Sequence, residues 1–262
     1  MSSIILPGDS LPSDSNVTST KIGPGIYKYP RTQTLIPSAA GILQSPNPDL
    51  IYIESNTKRY VPRAHDYVVG TIVGSIGEYY KVQLQSFSPP VMLPFLGFAN
   101  ATKKNRPNLK VGQVVYARVV SSDEVECEVV CYDAGNARDA GGFGVLDESG
   151  LVVDVELNFA RELLYNASSE VLALLSRKVQ FEVAVGINGR VWIKCGDGVG
   201  GGGEQGDKVG EGEDGEEQGE SDRGRSLKNL KDTLAAVRYL KMCQSRQPSE
   251  FESALKDAFK GV

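Results

Sequence analysis

Residues 98–120, FANATKKNRPNLKVGQVVYARVV, join a basic loop to a strand. Lys103, Lys104 and Arg106 fall within four residues, and Pro107 then prevents a helix from forming. Beyond the loop, valine and alanine alternate with other residues at a period of about two, which predicts a half-buried strand. Like charges on a short loop raise one another's electrostatic energy, so the cluster predicts a polyanion as its counterion. A solvated positive face that only aids solubility is the alternative.

Charge is distributed unevenly along the chain. The net charge is −5, but residues 196–225 hold three basic and ten acidic side chains. Residues 58–118 hold nine lysines and arginines against two acidic residues, a net charge of +7. This second window is therefore the candidate polyanion surface.

Composition is that of an ordinary globular protein. The 262 residues allow two or three small domains, and 40% of them are hydrophobic. No apolar run approaches the ~20 residues that a membrane helix needs, and the first eleven residues do not resemble a secretory signal. Cys127, Cys131, Cys195 and Cys243 match no zinc spacing. We therefore expect buried, reduced thiols in an intracellular protein, with no metal and no cofactor.

The predicted fold class is mixed β and α+β. Residues 1–60 are rich in Pro, Gly, Ser and Thr with short β-like patches, which indicates a loop-rich N-terminal β domain. Residues 61–135 contain five strand-like runs separated by glycines and prolines, which favours a Greek-key barrel of the oligonucleotide-binding (OB) kind. These runs are 67–73, 78–84, 91–96, 113–120 and 125–131.

Residues 141–262 show a different pattern. Their periodicity predicts the order strand, helix, helix, strand, strand, helix, which is that of a type I KH-like domain. KH domains are small α+β folds used mostly for single-stranded nucleic acid. An insertion at about 196–225 carries twelve glycines and no aromatic residue, so we expect it to be disordered.

The GING sequence at 186–189 has two possible roles. It looks like the GXXG clamp by which KH domains hold an RNA backbone, but that clamp lies between the two helices, here 165–170, where no glycine pair occurs. Asn188-Gly189 is instead a preferred dipeptide for a two-residue hairpin with two positive φ values. We therefore predict that Gly186, Asn188 and Gly189 form a structural turn. By the same argument, Trp192 is expected to be a core or interdomain anchor rather than a stacking platform.

Four stretches together resemble a known family. They are LPGD at 6–9, KRYVPR at 58–63, NATKKNRPNLKVG at 100–112 and GINGRVWIK at 186–194. In combination they resemble the S1/KH cap subunits of the eukaryotic RNA exosome, of the Rrp-forty type (exosome component 3 family), over nearly all of the chain except the acidic insertion. The resemblance implies an N-terminal β domain, an S1 barrel and a KH domain in a non-catalytic RNA-binding subunit.

Partners and location follow from the same resemblance. In that family the cap sits on a ring of RNase-PH-like proteins with other cap subunits. It guides RNA into the central channel toward an associated 3′-to-5′ exonuclease, for RNA processing and degradation, including that of rRNA, in the nucleus, nucleolus and cytoplasm. Lys103, Lys104 and Arg106 match the loop residues that face the RNA path, and Lys110 extends the set. The GxNG signature is a packing element there, in agreement with the hairpin prediction.

Further candidate RNA contacts lie outside the loop. Lys81 is a candidate by charge, and Tyr79, Tyr80 and Phe98 are candidates for stacking on bases. Core packing is an equally open role for each aromatic residue, because only one of two adjacent strand residues faces outward.

No enzymatic site is predicted. His65 is the only histidine and lies beside Arg63 and Asp66 without a visible nucleophile. Metal-dependent hydrolysis would need several convergent carboxylates, whereas the glutamates at 124, 126 and 128 alternate along one strand. A freestanding single-stranded RNA-binding protein with S1 and KH domains stays open as the alternative function.

Overall fold

The computed structural model describes residues 4–11, 21–47, 50–122, 126–166, 168–196 and 215–260. The chain divides into two compact units, Met1–Lys58 and Arg59–Val262. Within the described residues, no helix is both long and apolar enough to cross a membrane.

The first unit consists of short strands. One sheet has the order β1–β5–β6–β2, and β3 pairs with β4 in a separate hairpin. A small core contains Ile5, Leu11, Ile26 and Ile53. The predicted N-terminal β domain is thus confirmed. Its strands are β1 (Ile4–Ile5), β2 (Lys21–Ile22), β3 (Ile26–Lys28), β4 (Leu35–Pro37), β5 (Gly41–Asn47) and β6 (Leu50–Glu54).

The second unit begins with a closed barrel. Its sheet has the order β11–β9–β8–β7–β10–β12, and β11 also pairs with β10, which closes five strands into a ring. The strands are β7 (Tyr67–Ile76), β8 (Tyr79–Gln83), β9 (Val91–Pro94), β10 (Val114–Ser122), β11 (Cys127–Val130) and β12 (Gly144–Val145). The five predicted strands are confirmed, with boundaries that differ by at most three residues.

Alternation of side chains decides which residues fill the barrel. On β8, Tyr80 and Val82 point into the core, while Tyr79 and Lys81 lie on the other face. On β10, Val115, Ala117 and Val119 are almost fully buried, as the period of two predicted. The barrel is therefore a filled core, and ligands can reach only its outer surface and its loops.

A KH domain follows the barrel. It comprises β13 (Leu151–Asp154), α1 (Leu157–Tyr165), α2 (Glu170–Ser176), β14 (Phe181–Gly186), β15 (Arg190–Cys195), α3 (Gly215–Cys243), a 3-10 turn (Pro248–Glu250) and α4 (Phe251–Ala258). The antiparallel sheet has the order β13–β15–β14. Tyr239 and Leu240 of α3 pack against Leu175 of α2 and Ile193 of β15 in the core. The predicted order strand, helix, helix, strand, strand, helix is confirmed from β13 to α3, and α4 follows it.

The acidic insertion overlaps helix α3. Residues 197–214 of the predicted insertion lie outside the described residues, whereas α3 already begins at Gly215 and includes residues 215–225. Helix α3 therefore starts about ten residues before residue 225, where the composition predicted that the disordered insertion ends. Once its second half is packed, each further turn adds hydrogen bonds without a new nucleation cost.

Candidate nucleic-acid interface

The tip of the basic loop is a tight turn between β9 and β10. The backbone N–H of Thr102 donates to the Asn105 carbonyl at 2.9 Å, and the Asn105 N–H donates back to the Thr102 carbonyl at 3.1 Å. The Asn105 N–H also reaches the Thr102 hydroxyl at 3.1 Å. Lys103 and Lys104 stand between these two residues, and both are exposed. The turn thus presents two ammonium groups side by side to solvent.

The base of the loop is attached to the barrel by Tyr80. Its hydroxyl donates to the Pro107 carbonyl at 2.8 Å and accepts from the Leu109 N–H at 3.2 Å. The Tyr80 ring lies 4.4 Å from the Phe95 ring, and the guanidinium carbon of Arg106 lies 4.6 Å above Phe95. Arg106 is therefore held over an aromatic face while it stays exposed.

The structure excludes two of the residues that were predicted to stack on bases, Tyr80 and Phe98. Tyr80 is only 6% exposed, because its ring fills the barrel and its hydroxyl anchors the loop. Phe98 is also only 6% exposed and pairs with Cys131 in a short bridge inside the barrel wall. Neither ring is open to a base.

Tyr79 and Lys81 lie on the outer face of β8. Tyr79 is 41% exposed and Lys81 is half-buried. Tyr79 lines an open groove of about 440 Å³ together with Glu126 and Glu128 of the neighbouring strand region. These carboxylates repel phosphate, so this face is less favourable to a backbone than the basic loop is. The role of Tyr79 as a residue that stacks on bases stays a prediction.

Lys110 completes the positive surface at the far end of the loop. Its backbone N–H donates to the Gln113 side-chain oxygen at 2.9 Å, and the Gly112 N–H donates to the Ile72 carbonyl of β7 at 2.8 Å. Lys110 itself is exposed. In the part of the chain that is described, the ion pairs include Arg190 with Asp154, Lys194 with Asp147 and Arg246 with Asp257. The cations of the basic loop take part in none of them.

Sequence reasoning missed two neighbours of the loop. Asn100, which adopts a positive φ of 55°, donates from its side chain to the Arg138 carbonyl at 2.9 Å. This bond brings the exposed Arg138 beside a groove of about 390 Å³ that Asn100 and Thr102 also line. Phe95 was missed as the support of Arg106. In the sequence, the only hint of the Asn100 contact was the residue type, since asparagine adopts positive φ more readily than most residues.

The GING hairpin differs from the predicted turn. Gly186 pairs with Arg190, so three residues form the loop rather than two. Gly189 has the predicted positive φ, 79°, but Asn188 is not among the residues with positive φ. A β-carbon at Gly189 would lie 2.7 Å from the Val155 carbonyl oxygen, which explains the glycine. Three-residue hairpins commonly end in such a left-handed glycine.

Asn188 ties the KH domain to the barrel. Its side chain is fully buried, accepts from the Val69 N–H at 3.1 Å, and donates to the carbonyls of Val69 (2.9 Å) and Leu84 (2.7 Å). The Ile187 N–H donates to the Tyr67 carbonyl at 2.8 Å. Gly186 permits this approach, because a β-carbon there would lie 2.3 Å from the Asn188 side-chain oxygen. Every polar atom of the Asn188 side chain is thus engaged by protein.

Trp192 reinforces the same junction. It is 3% exposed and packs with Val69 of the barrel and Ala184 of β14. Its indole N–H donates to the Asp147 carbonyl at 3.3 Å. Trp192 is therefore an interdomain anchor, with no face free for a base.

The thiols lie mostly inside the protein. Cys131, Cys195 and Cys243 are buried and Cys127 is half-buried. Burial raises the pKa of the Cys127 thiol and of the Cys195 thiol to about 11. The described residues contain no cluster of three or more His, Cys, Asp or Glu that could hold a metal ion.

Comparisons with known proteins match all three domains. Residues 20–59 match the model of the exosome complex exonuclease Rrp40 N-terminal domain, residues 60–144 that of the exosome complex component RRP40 S1 domain, and residues 150–199 that of a KH domain. A solved crystal structure assigned as an exosome complex RNA-binding protein superposes with a TM-score of 0.51. It shares 20% identity and covers 77% of this chain and 96% of its own, so it supports the fold alone.

Two relatives cover most of the chain. Exosome complex component RRP40 of Saccharomyces cerevisiae is 47% identical over 201 residues, which are 74% of this chain and 82% of the relative. Exosome complex component rrp40 of Schizosaccharomyces pombe is 37% identical over 196 residues, 73% of this chain and 80% of the relative. Together with the domain models, they show that the chain belongs to the RRP40 family of exosome complex components.

Proposed function

We propose that this protein is a non-catalytic RNA-binding cap subunit of the RNA exosome. The observation that carries the proposal is the anchored basic loop, in which Lys103, Lys104 and Arg106 are exposed on a closed S1 barrel. The relatives bear the name exosome complex component, which supports assembly with exosome ring and cap subunits. The protein then acts in the nucleus, nucleolus and cytoplasm and guides RNA toward a separate 3′-to-5′ exonuclease.

The loop geometry suits a single-stranded backbone. Lys103 and Lys104 act as point charges, whereas the planar guanidinium of Arg106 is held on Phe95 and offers a fork of donors to a phosphate. Because the base of the loop is fixed to Tyr80, little backbone entropy is lost when RNA binds. Binding of this kind is insensitive to sequence and strongly dependent on salt.

The side chain beside the single histidine, His65, also fits a protein that binds RNA without cleaving it. The Arg118 guanidinium lies 3.3 Å from Nδ1 of His65, and Arg118 is 93% buried. His65 is thus engaged by a structural cation rather than by a nucleophile. Incubation of the purified chain with single-stranded RNA and Mg²⁺ should leave the RNA intact. If the RNA is shortened, and this activity remains with the chain after further purification, the non-catalytic role is contradicted.

The basic loop can be tested by the salt dependence of RNA binding. Replacement of Lys103, Lys104 and Arg106 by Ala should weaken binding and reduce the slope of log K against log salt by about 0.7 per lost phosphate contact, about 2 in total. The two lysines are exposed and Arg106 loses only its contact with Phe95, so the free energy of unfolding should fall by less than about 1 kcal/mol. The matched control replaces three exposed lysines of the KH helices, Lys231, Lys241 and Lys256, with the same loss of charge.

The control variant should keep the wild-type slope. Equal slopes in the loop variant and the wild type would place the RNA elsewhere.

The alternative function is a freestanding RNA-binding protein, and size-exclusion chromatography of native extract distinguishes it from an exosome subunit. A freestanding protein elutes near 28.2 kDa, whereas an exosome subunit elutes with a much larger assembly.

A further inference from the structure

We propose that Phe87 is a docking residue that inserts into an apolar pocket of a neighbouring exosome subunit. Its side chain is 102% exposed, the highest exposure among the large hydrophobic residues that the structure describes. It stands at the tip of the connection between β8 and β9, residues 84–90. The inference rests on the proposed function, because it supplies the contact by which the chain joins that assembly.

The turn that carries Phe87 is closed by its own hydrogen bonds. The Ser88 N–H donates to the Gln85 carbonyl at 3.2 Å, and the Gln85 N–H donates to the Ser88 hydroxyl at 3.2 Å. The same hydroxyl donates to the Gln85 carbonyl at 3.1 Å. Two prolines, Pro89 and Pro90, follow and restrict the backbone further. The exposed ring is therefore presented by a defined backbone.

The side chains of Gln83 and Gln85 attach this turn to three other parts of the chain. Nε2 of Gln83 donates to the carbonyls of Gln85 (2.9 Å) and Ser88 (3.3 Å). Gln85 accepts from the Tyr60 N–H at 3.0 Å and donates to the Asn188 carbonyl at 3.0 Å. The turn is thus fixed to the barrel, to the segment before it and to the KH hairpin. A turn whose backbone is already ordered loses little backbone entropy when its aromatic residue is bound.

The surroundings indicate the chemistry of the partner. The segment that bonds to Gln85 exposes Val61 (64%), and Pro89 and Pro90 are exposed beside Phe87. Residues 84–90 carry no charge, while Arg59 and Arg63 of the adjoining segment are exposed. The matching surface is therefore an apolar pocket for the ring, with carboxylates on the side that faces the two arginines.

The position of Phe87 favours a protein over RNA. Tyr80, near one end of strand β8, anchors the basic loop through its hydroxyl. Gln83, at the other end of the strand, anchors the Phe87 turn through its amide. The ring and the proposed RNA contacts therefore lie at opposite ends of the same strand. RNA can occupy the basic loop while Phe87 is inserted in a partner subunit.

The test measures affinity for the assembly and for RNA in parallel. The full-length chain, labelled with a fluorophore, is titrated with the purified remaining exosome core subunits of its own source, and separately with single-stranded RNA. Phe87→Ala should weaken binding to the subunits at least about tenfold, as expected for a hot-spot aromatic residue. Phe87→Trp keeps a ring at this position and should retain most of the affinity. Ser86→Ala, an exposed change in the same turn, should have no effect.

Each outcome decides the proposal. Loss of subunit affinity in Phe87→Ala with unchanged RNA affinity and unchanged Trp192 fluorescence supports it. Unchanged subunit affinity overturns it, and so does a loss of RNA affinity alone, which would make Phe87 a base-stacking residue. If the wild-type chain itself fails to bind the subunits, the proposed function fails and the assigned partner fails with it.

Discussion

Replacement of Asn188 by Ala should remove the hydrogen bonds between the KH hairpin and the barrel and so lower the free energy of unfolding. The side chain makes three hydrogen bonds to barrel backbone, at 2.7, 2.9 and 3.1 Å, and is fully buried. Each bond contributes about 1 kcal/mol net, and an orphaned buried N–H or carbonyl costs about 1 to 3 kcal/mol. Because a water can enter part of the vacated space, we expect a loss of about 3 to 5 kcal/mol from the free energy of unfolding. That is a large share of the ~5 to 15 kcal/mol that domains possess.

Urea unfolding followed by tryptophan fluorescence is the direct assay. Trp192 is the only tryptophan and packs against Val69, one of the residues that Asn188 binds, so its emission reports on the junction itself. Asn158→Ala, on helix α1, is the control and should change stability by less than about 0.5 kcal/mol. A loss below 1 kcal/mol in Asn188→Ala would refute the reasoning. Normal stability with a lower RNA affinity would make the GING hairpin a nucleic-acid clamp.

Three further predictions concern other residues. Trp192→Ala should cost about 3 to 5 kcal/mol through the cavity it leaves, measured by urea unfolding with far-UV circular dichroism, and a cost below 1 kcal/mol would contradict its burial. The hydrogen bond from Lys194 lowers the pKa of Asp147 to about 2, so this carboxylate stabilises the fold above about pH 4. The stability difference between wild type and Asp147→Asn should therefore be below about 1 kcal/mol at pH 7 and should disappear as pH falls from about 4 to 2. With a pKa of about 11, only about 0.1% of Cys127 is thiolate at pH 8, so native protein should react with a thiol reagent at least about tenfold more slowly than free cysteine, because the higher nucleophilicity of a more basic thiolate offsets only part of the lower thiolate fraction, and a fast phase would show an accessible thiolate.

Most of the fold could be predicted because it depends on local periodicity. Alternation along β10 identified a barrel strand, and the change to helical spacing after residue 141 identified the KH domain. The same alternation required that only one of Tyr79 and Tyr80 face outward. It could not say which one, because that choice depends on the register between β8 and β9, where Tyr80 lies opposite the buried Leu93.

The site was less predictable because its support comes from distant parts of the chain. Phe95 lies eleven residues from the arginine that it supports, and Arg138 lies 38 residues from Asn100. The predicted loop length of the GING hairpin was wrong for a similar reason. Asn-Gly alone favours a two-residue turn, but the Asn188 side chain binds residues 104 and 119 positions away, and the loop has three residues. Such tertiary hydrogen bonds leave no mark on local periodicity.

Cross-linking of RNA within the assembled exosome tests the central claim most directly. The chain is incorporated with its partner subunits, a photoreactive single-stranded RNA is bound and irradiated, and cross-linked peptides are identified by mass spectrometry. We predict cross-links on the basic loop, at or beside Lys103, Lys104 and Arg106, that are lost when these three residues are replaced by Ala. Cross-links confined to the GING hairpin, or an assembly in which this chain never contacts RNA, would contradict the account.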